Sequence, residues 1–191
     1  MRIISGSRKG RRFDAPDGRE TRPTLDRVKE AMFGMLQFDI EDRIVLDLFA
    51  GSGNLGLEAL SRGAAYAVFC DKSRTAAKLV EKNLNALGFS ECAEVHCADC
   101  FLLLDRLAAG KKRFSLVLLD PPYAAGLTEK VLDKLVSGGM LSTGCIIISE
   151  HSWSMPPDIS LLSERTKSSL VFREPRRYGD VGVTYIYYKG E

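Results

Sequence analysis

Asp120-Pro121-Pro122-Tyr123 sets a carboxylate, a backbone stretch without N–H groups and an aromatic ring in four consecutive positions. Proline fixes φ and cannot donate, so the carbonyls here can point outward instead of joining a local helical turn. The Asp120 carboxylate and the Pro121 carbonyl then make a rigid pair of acceptors, suited to the two hydrogens of an exocyclic amine. Such an amine is a weak nucleophile because its lone pair is delocalised into the ring. Holding both hydrogens favours a more tetrahedral nitrogen, and aiming its lone pair at an electrophile is where the largest rate gain arises. Tyr123 offers a flat face to a base turned out of its stack, a contact worth ~1–3 kcal/mol. A simple turn bearing a surface tyrosine has the same sequence, so the reading depends on what shares its location.

A glycine-rich run, Asp47-Leu48-Phe49-Ala50-Gly51-Ser52-Gly53-Asn54-Leu55-Gly56, supplies the second feature. Glycines let backbone approach a ligand closely, and the helix that starts after them presents unpaired N–H groups. Asp71 ends the next apolar run and can accept both hydroxyls of a ribose, with Lys72 directly after it. By itself this pattern fits NAD as well as S-adenosylmethionine, since both carry adenosine. Asp47, just before the glycines, disfavours a pyrophosphate and suits an ammonium or a sulfonium. That attraction across ~4 Å is worth about 1 kcal/mol in water and several-fold more in a drier cleft. Asp99 is a third acid at a strand end, placed to accept an adenine amino group, with Cys100 beside it. Acids at three successive strand ends favour S-adenosylmethionine.

The elements that must position these residues alternate. Residues 44–49 form a short apolar run, followed by a helical stretch at 54–61. Strands are expected at 67–70, 94–97, 116–119 and 145–149, and helices at 73–87, 100–107 and 127–136. Continuous apolar strands separated by helices predict a parallel sheet covered on both faces. Residues 169–172 and 183–188 break the rhythm, leave no room for a crossover helix and predict an antiparallel pair. Before the alternation, Thr24 is a plausible N-cap for a helix whose apolar stripe is Leu25, Val28, Met32, Met35 and Leu36. Residues 1–22 are expected to form a basic hairpin or arm, and 23–191 one domain.

The chain has 191 residues, 45% hydrophobic and 27% charged, with a net charge of +2, which is the profile of one water-soluble globular domain. No apolar run approaches the ~20 residues of a membrane helix, and no secretory signal is visible, so a cytoplasmic location is expected. Charge is uneven: Arg8, Lys9, Arg11 and Arg12 crowd the N-terminus, and Arg176 and Arg177 lie near the C-terminus. Two basic clusters in a nearly neutral chain point to a polyanion. His96, Cys97 and Cys100, with Cys92 and His151, lack the spacing of a four-ligand centre, so no metal is expected.

Thr21-Arg22-Pro23-Thr24 with Asp26-Arg27-Val28, VLDLFAGSG at 45–53, LGLEALSRGA at 55–64, the 120–123 motif and RRYGD at 176–180 together resemble the bacterial 16S rRNA guanine-N2 methyltransferases of the RsmD type. The similarity runs over nearly the whole chain in the right order. It implies a class I methyltransferase fold: a Rossmann-like three-layer sandwich with a seven-stranded, mostly parallel sheet and an antiparallel last strand. It also implies transfer from S-adenosylmethionine to the N2 amine of guanine 966 in 16S ribosomal RNA, as naked RNA or in an assembling small subunit. The same resemblance has Arg22 and Thr24 help hold the cofactor's methionine end, Asp71 the ribose, Asp99 and the Cys100 N–H the adenine, and residues 120–123 the amine. The basic arm would grip RNA backbone. Val181-Gly182 departs from the usual run after Gly-Asp. Adenine-N6 methylation and nicotinamide-dependent oxidoreduction are the alternatives. Roles for Glu150, His151 and Trp153 stay open, with His151 and Trp153 placed to line a target-base pocket.

Overall fold

A computed structural model of the chain describes residues 1–16, 23–36, 39–122 and 126–190. Arg22, Tyr123 and the end of the expected arm, 17–22, lie outside the described residues. Among the described residues the strands are β1 (Ile44–Asp47), β2 (Tyr66–Asp71), β3 (Ala93–Cys97), β4 (Phe114–Leu119), β5 (Leu141–Ser152), β6 (Leu170–Phe172), β7 (Arg176–Tyr178) and β8 (Val181–Tyr188). They form one sheet in the order β3-β2-β1-β4-β5-β8-β6, with β7 also paired to β8. The first five are parallel, β8 runs antiparallel to β5, and β6 and β7 run antiparallel to β8.

Eight strands stand where seven are expected, and the reason is a break in the outermost lane. β6 pairs Phe172 with Ile186 and β7 pairs Arg176 with Val183, so Arg173, Glu174 and Pro175 face only Thr184 and Tyr185. One extra residue, together with a proline that has no N–H to offer, splits the lane at a bulge. The expected antiparallel partners are otherwise in place.

Helices α1 (Pro23–Gly34), α2 (Asn54–Ser61) and α3 (Arg74–Leu87) cover one face, whose core includes Val28, Met32, Phe33, Leu57, Val80 and Leu84. Helices α4 (Cys100–Ala109) and α5 (Leu127–Ser137), followed by the short α6 (Glu164–Ser169), cover the other around Leu103, Leu104, Val131 and Leu135. Ser73 caps α3 by accepting from the Ala76 N–H, and Gly88 closes it at φ 72°. α1 begins at Pro23, which suits a first helical position, so Thr24 lies inside the helix and is not its cap. Met35 is 42% exposed and leaves the expected stripe, whereas Lys29 joins it.

Lys29 is 1% exposed and ties three segments together. Its Nζ donates to the Arg2 carbonyl (2.7 Å) and the Asn54 Oδ1 (2.8 Å) and pairs with Glu58 (3.3 Å). Glu58, fully buried, also accepts from the Ile4 and Ser5 N–H groups and from Arg62. The arm is thus docked on α2, with Ile3 and Phe13 in the core and Arg2 bridged to Arg12. Gly6 reaches Ser61 so closely that a Cβ would lie 1.7 Å from its carbonyl oxygen.

Candidate active site

Sheet order reverses between β1 and β4, and the crevice beyond the carboxyl ends of these strands is where open α/β sheets take ligands. Side chains alternate between faces along a strand, so Asp47 shares the α1–α3 face with Val45, Asp71 with Phe69, and Glu150 with Ile148. Asp120 follows the end of β4 and repels both Asp47 and Glu150 electrostatically. Four carboxyl groups from β2, β1, β4 and β5 therefore gather at one edge, on one side.

Each is held differently. Asp47 is 1% exposed, and its Oδ2 accepts from the Gly56 N–H at 2.9 Å. Burial pushes its carboxyl up to about 7, helped by Asp120 and Asp71 and opposed by the Gly56 bond. Its carboxyl thus lies beneath the glycine turn, shut off from solvent. Asp71 accepts from the Gly51 N–H (2.9 Å) and the Ser73 N–H (2.8 Å), which fixes its carboxylate between the turn and α3. Asp99 caps α4 through Oδ1, accepting from Phe101 and Leu102. Glu150 is 9% exposed, and burial with Asp120 nearby raises it to about 8.

The turn itself is built by two left-handed glycines, Gly51 at φ 56° and Gly53 at φ 80°. No described residue lies within 4 Å of where a Gly51 Cβ would be, whereas Gly53 faces Leu57 and Val80. Gly56 packs α2 onto β2: a Cβ there would lie 2.3 Å from Phe69. Ala50 is buried and donates to the Cys70 carbonyl, and Phe49 is half-buried against the α4–α5 core. Asn54 is the first residue of α2, but its side chain is committed to Lys29, which leaves its backbone toward the turn. Lys72 is exposed, and the Cys100 thiol is buried and raised by desolvation. Pro121 is buried and Pro122 exposed. Thr24 lies in the first turn of α1.

Beyond these, the expected set divides. His151 is not in a base pocket: it is buried, with Nδ1 against the Ser152 carbonyl (2.8 Å) and Nε2 against the Thr184 hydroxyl (2.9 Å). Its ring also explains Gly182, since a Cβ there would meet it at 2.2 Å. Arg8 is tied down, donating to the Leu87 carbonyl (2.7 Å) and lying over Phe89, while Lys9, Arg11 and Arg12 are exposed on the same arm, Arg11 also donating to the Ala86 carbonyl (3.3 Å). Arg176 is exposed, and Arg177 lies 5.3 Å over the half-exposed Trp153 ring. Among the described residues no group of three His, Cys, Asp or Glu could hold a metal, and no helix is long and apolar enough to cross a membrane. Sequence reasoning missed Lys29 and Glu58. The available signal was phase: Lys29, Met32, Phe33 and Leu36 share one helical stripe.

The family model described as "Conserved hypothetical protein 95" matches residues 1–182. The "Putative rRNA methyltransferase YlbH" of Bacillus subtilis (strain 168) is 38% identical over 189 residues, covering 99% of each chain. "Ribosomal RNA small subunit methyltransferase D" of Escherichia coli (strain K12) is 35% identical over 178 residues, 91% of this chain and 88% of that one. A solved structure titled "Putative methyltransferase yhhF from Escherichia coli" aligns with a TM-score of 0.83 at 29% identity, over 100% of this chain and 99% of the other.

Proposed function

The chain belongs to the RsmD-type methyltransferase family described as conserved hypothetical protein 95, and on that premise we propose that it methylates the N2 amine of a guanine in small-subunit ribosomal RNA, guanine 966 in 16S numbering. The methyl donor in this reading is S-adenosylmethionine, and the setting is the cytoplasm, on naked RNA or an assembling subunit. The observation that carries it is the meeting of Asp47, Asp71 and Asp120 at the glycine turn.

The residues present fit that donor. A crevice whose aspartates repel one another, one of them buried and half-protonated, suits a cationic ligand, and the open side of Gly51 leaves room where a side chain would intrude. When bound, S-adenosylmethionine supplies a methyl group on a positively charged sulfur. Asp71 is fixed by two backbone N–H groups with lone pairs left for a ribose. Asp99 keeps Oδ2 for the adenine, next to the Cys100 N–H. Asp47 supplies negative charge that favours ammonium and sulfonium over pyrophosphate. Arg22 and Thr24 contribute at the methionine end, with Phe49, Ala50, Gly53, Asn54 and Lys72 around the turn.

Asp120 and the Pro121 carbonyl accept the two hydrogens of the target amine, and Pro122 and Tyr123 shape the slot for its ring. A bound donor would supply its methyl group to the nitrogen held by Asp120 and the Pro121 carbonyl, its sulfur leaving as a neutral thioether. The methylated nitrogen is strongly acidic, so its surplus proton leaves late, to Asp120 or water, without a strong base. Lys9, Arg11, Arg12, Arg176 and Arg177 hold phosphates, and Arg8 props the arm.

Tritiated methyl transfer to ribosomal RNA from cells lacking this protein, followed by nucleoside analysis, tests the reading. N2-methylguanosine is expected; labelled N6-methyladenosine, or no label, overturns it.

A further inference from the structure

Glu150 has no part in the chemistry above, yet it stands beside it. β4 and β5 pair Leu119 with Ser149, so the next residue on each lane, Asp120 and Glu150, are neighbours. Asp120 is close enough to raise the Glu150 carboxyl electrostatically. Glu150 is 9% exposed, so its side chain is largely withdrawn from water at the floor of the crevice. Across β8, its partner is the apolar Val183. A largely buried ionisable side chain that loses its remaining water when a ligand enters costs free energy unless the ligand satisfies it.

We propose that Glu150 is the second carboxyl of the target pocket, hydrogen-bonding the ring edge of the flipped guanine immediately beside the amine held by Asp120 and Pro121. This rests on the functional reading above and names the group that selects guanine. Next to its N2 amine, guanine presents the N1–H and then the O6 acceptor. A carboxyl that carries its proton matches both: its carbonyl oxygen accepts from N1–H, and its O–H donates to O6. Burial and Asp120 keep that proton on Glu150 near neutrality. Adenine and cytosine have a lone pair beside their exocyclic amines, where guanine has a hydrogen, and cannot make both bonds. The pocket discriminates because a buried polar group left unpaired is penalised more than a made bond is rewarded.

The test uses a defined RNA substrate with either guanosine or 2-aminopurine riboside at the target. The analogue keeps the amine but has a bare N1 and no O6. The readout is the ratio of kcat/KM for the two substrates, in which the analogue's intrinsic reactivity cancels between enzyme variants. Glu150→Ala is expected to lower the guanosine preference by roughly 10- to 100-fold, with S-adenosylhomocysteine affinity unchanged. Glu150→Gln, whose amide offers one acceptor and one donor in the same places, is expected to keep the preference. Glu150→Met takes the place of the alanine variant if that chain loses cofactor affinity. An unchanged ratio in Glu150→Ala or Glu150→Met, or a collapsed one in Glu150→Gln, overturns the proposal while leaving the methyltransferase reading intact. A wild-type product other than N2-methylguanosine overturns both.

Discussion

Asp47 keeps its proton near neutrality because water is excluded from it and two other aspartates stand close. Its carboxyl lies far above the unfolded range, so between about pH 4 and 7 the folded chain binds a proton that the unfolded chain has released. Stability of the unliganded protein should therefore fall as pH rises through this window, by on the order of 4 kcal/mol in all. Glu150, raised to about 8, acts in the same direction. Asp47→Asn should flatten the fall, seen as Tm against pH. A cation in the crevice favours the ionised form, so S-adenosylmethionine should bind more tightly at pH 8 than at pH 6. Calorimetry should show that gain lost in Asp47→Asn. Asp120→Ala should keep cofactor affinity and lower kcat by roughly 10²- to 10³-fold, the scale of removing one positioned electrostatic partner. Unchanged turnover would remove Asp120 from the mechanism.

The seating of α2 on β2 depends on one missing methyl group. Gly56 has an ordinary backbone conformation, so Gly56→Ala sets a clash with Phe69, and a close approach to the Asp47 carboxylate, against the better helix propensity of alanine. The added Cβ would lie 2.3 Å from the Phe69 ring, which is fully buried and has nowhere to swing. A cost of about 1–3 kcal/mol is expected, lowering Tm by roughly 2–10 °C, with partial recovery in Gly56→Ala/Phe69→Leu. At this scale much was legible in the sequence. Continuous apolar runs such as 116–119 marked β4, and Gly88 marked the end of α3, because periodicity and left-handed caps are local properties. α6 and β7 were not, being too short for a period to register and set by partners distant in sequence. The gathering of acids at strand ends was readable, as with Asp71 and Asp120, because it follows from where the apolar runs stop. Side-chain partners on other elements were not legible: Asn54 turns to Lys29, His151 to Thr184, and Arg8 to the end of α3.

The docked arm gives the molecule a preformed cationic rim, although its net charge is only +2. With Arg8 occupied internally, Lys9, Arg11 and Arg12 are the arm residues of that cluster exposed for phosphate. Replacing these three by Ala should reduce the slope of log K against log salt by up to ~2 for single-stranded RNA, without altering the base that is modified. An unaltered slope would assign the arm to another task. The bulged lane bears on how the molecule behaves among its own copies. A long outer strand invites a neighbour to zip along its unpaired amides, the first step toward fibrils or exchanged dimers. Here the flank offers two fragments of three residues each, interrupted by a proline. Deleting Pro175 should remove both the extra residue and the missing N–H and so restore a continuous seam, and light scattering just below the melting transition should then report growing assemblies where the parent chain stays monodisperse.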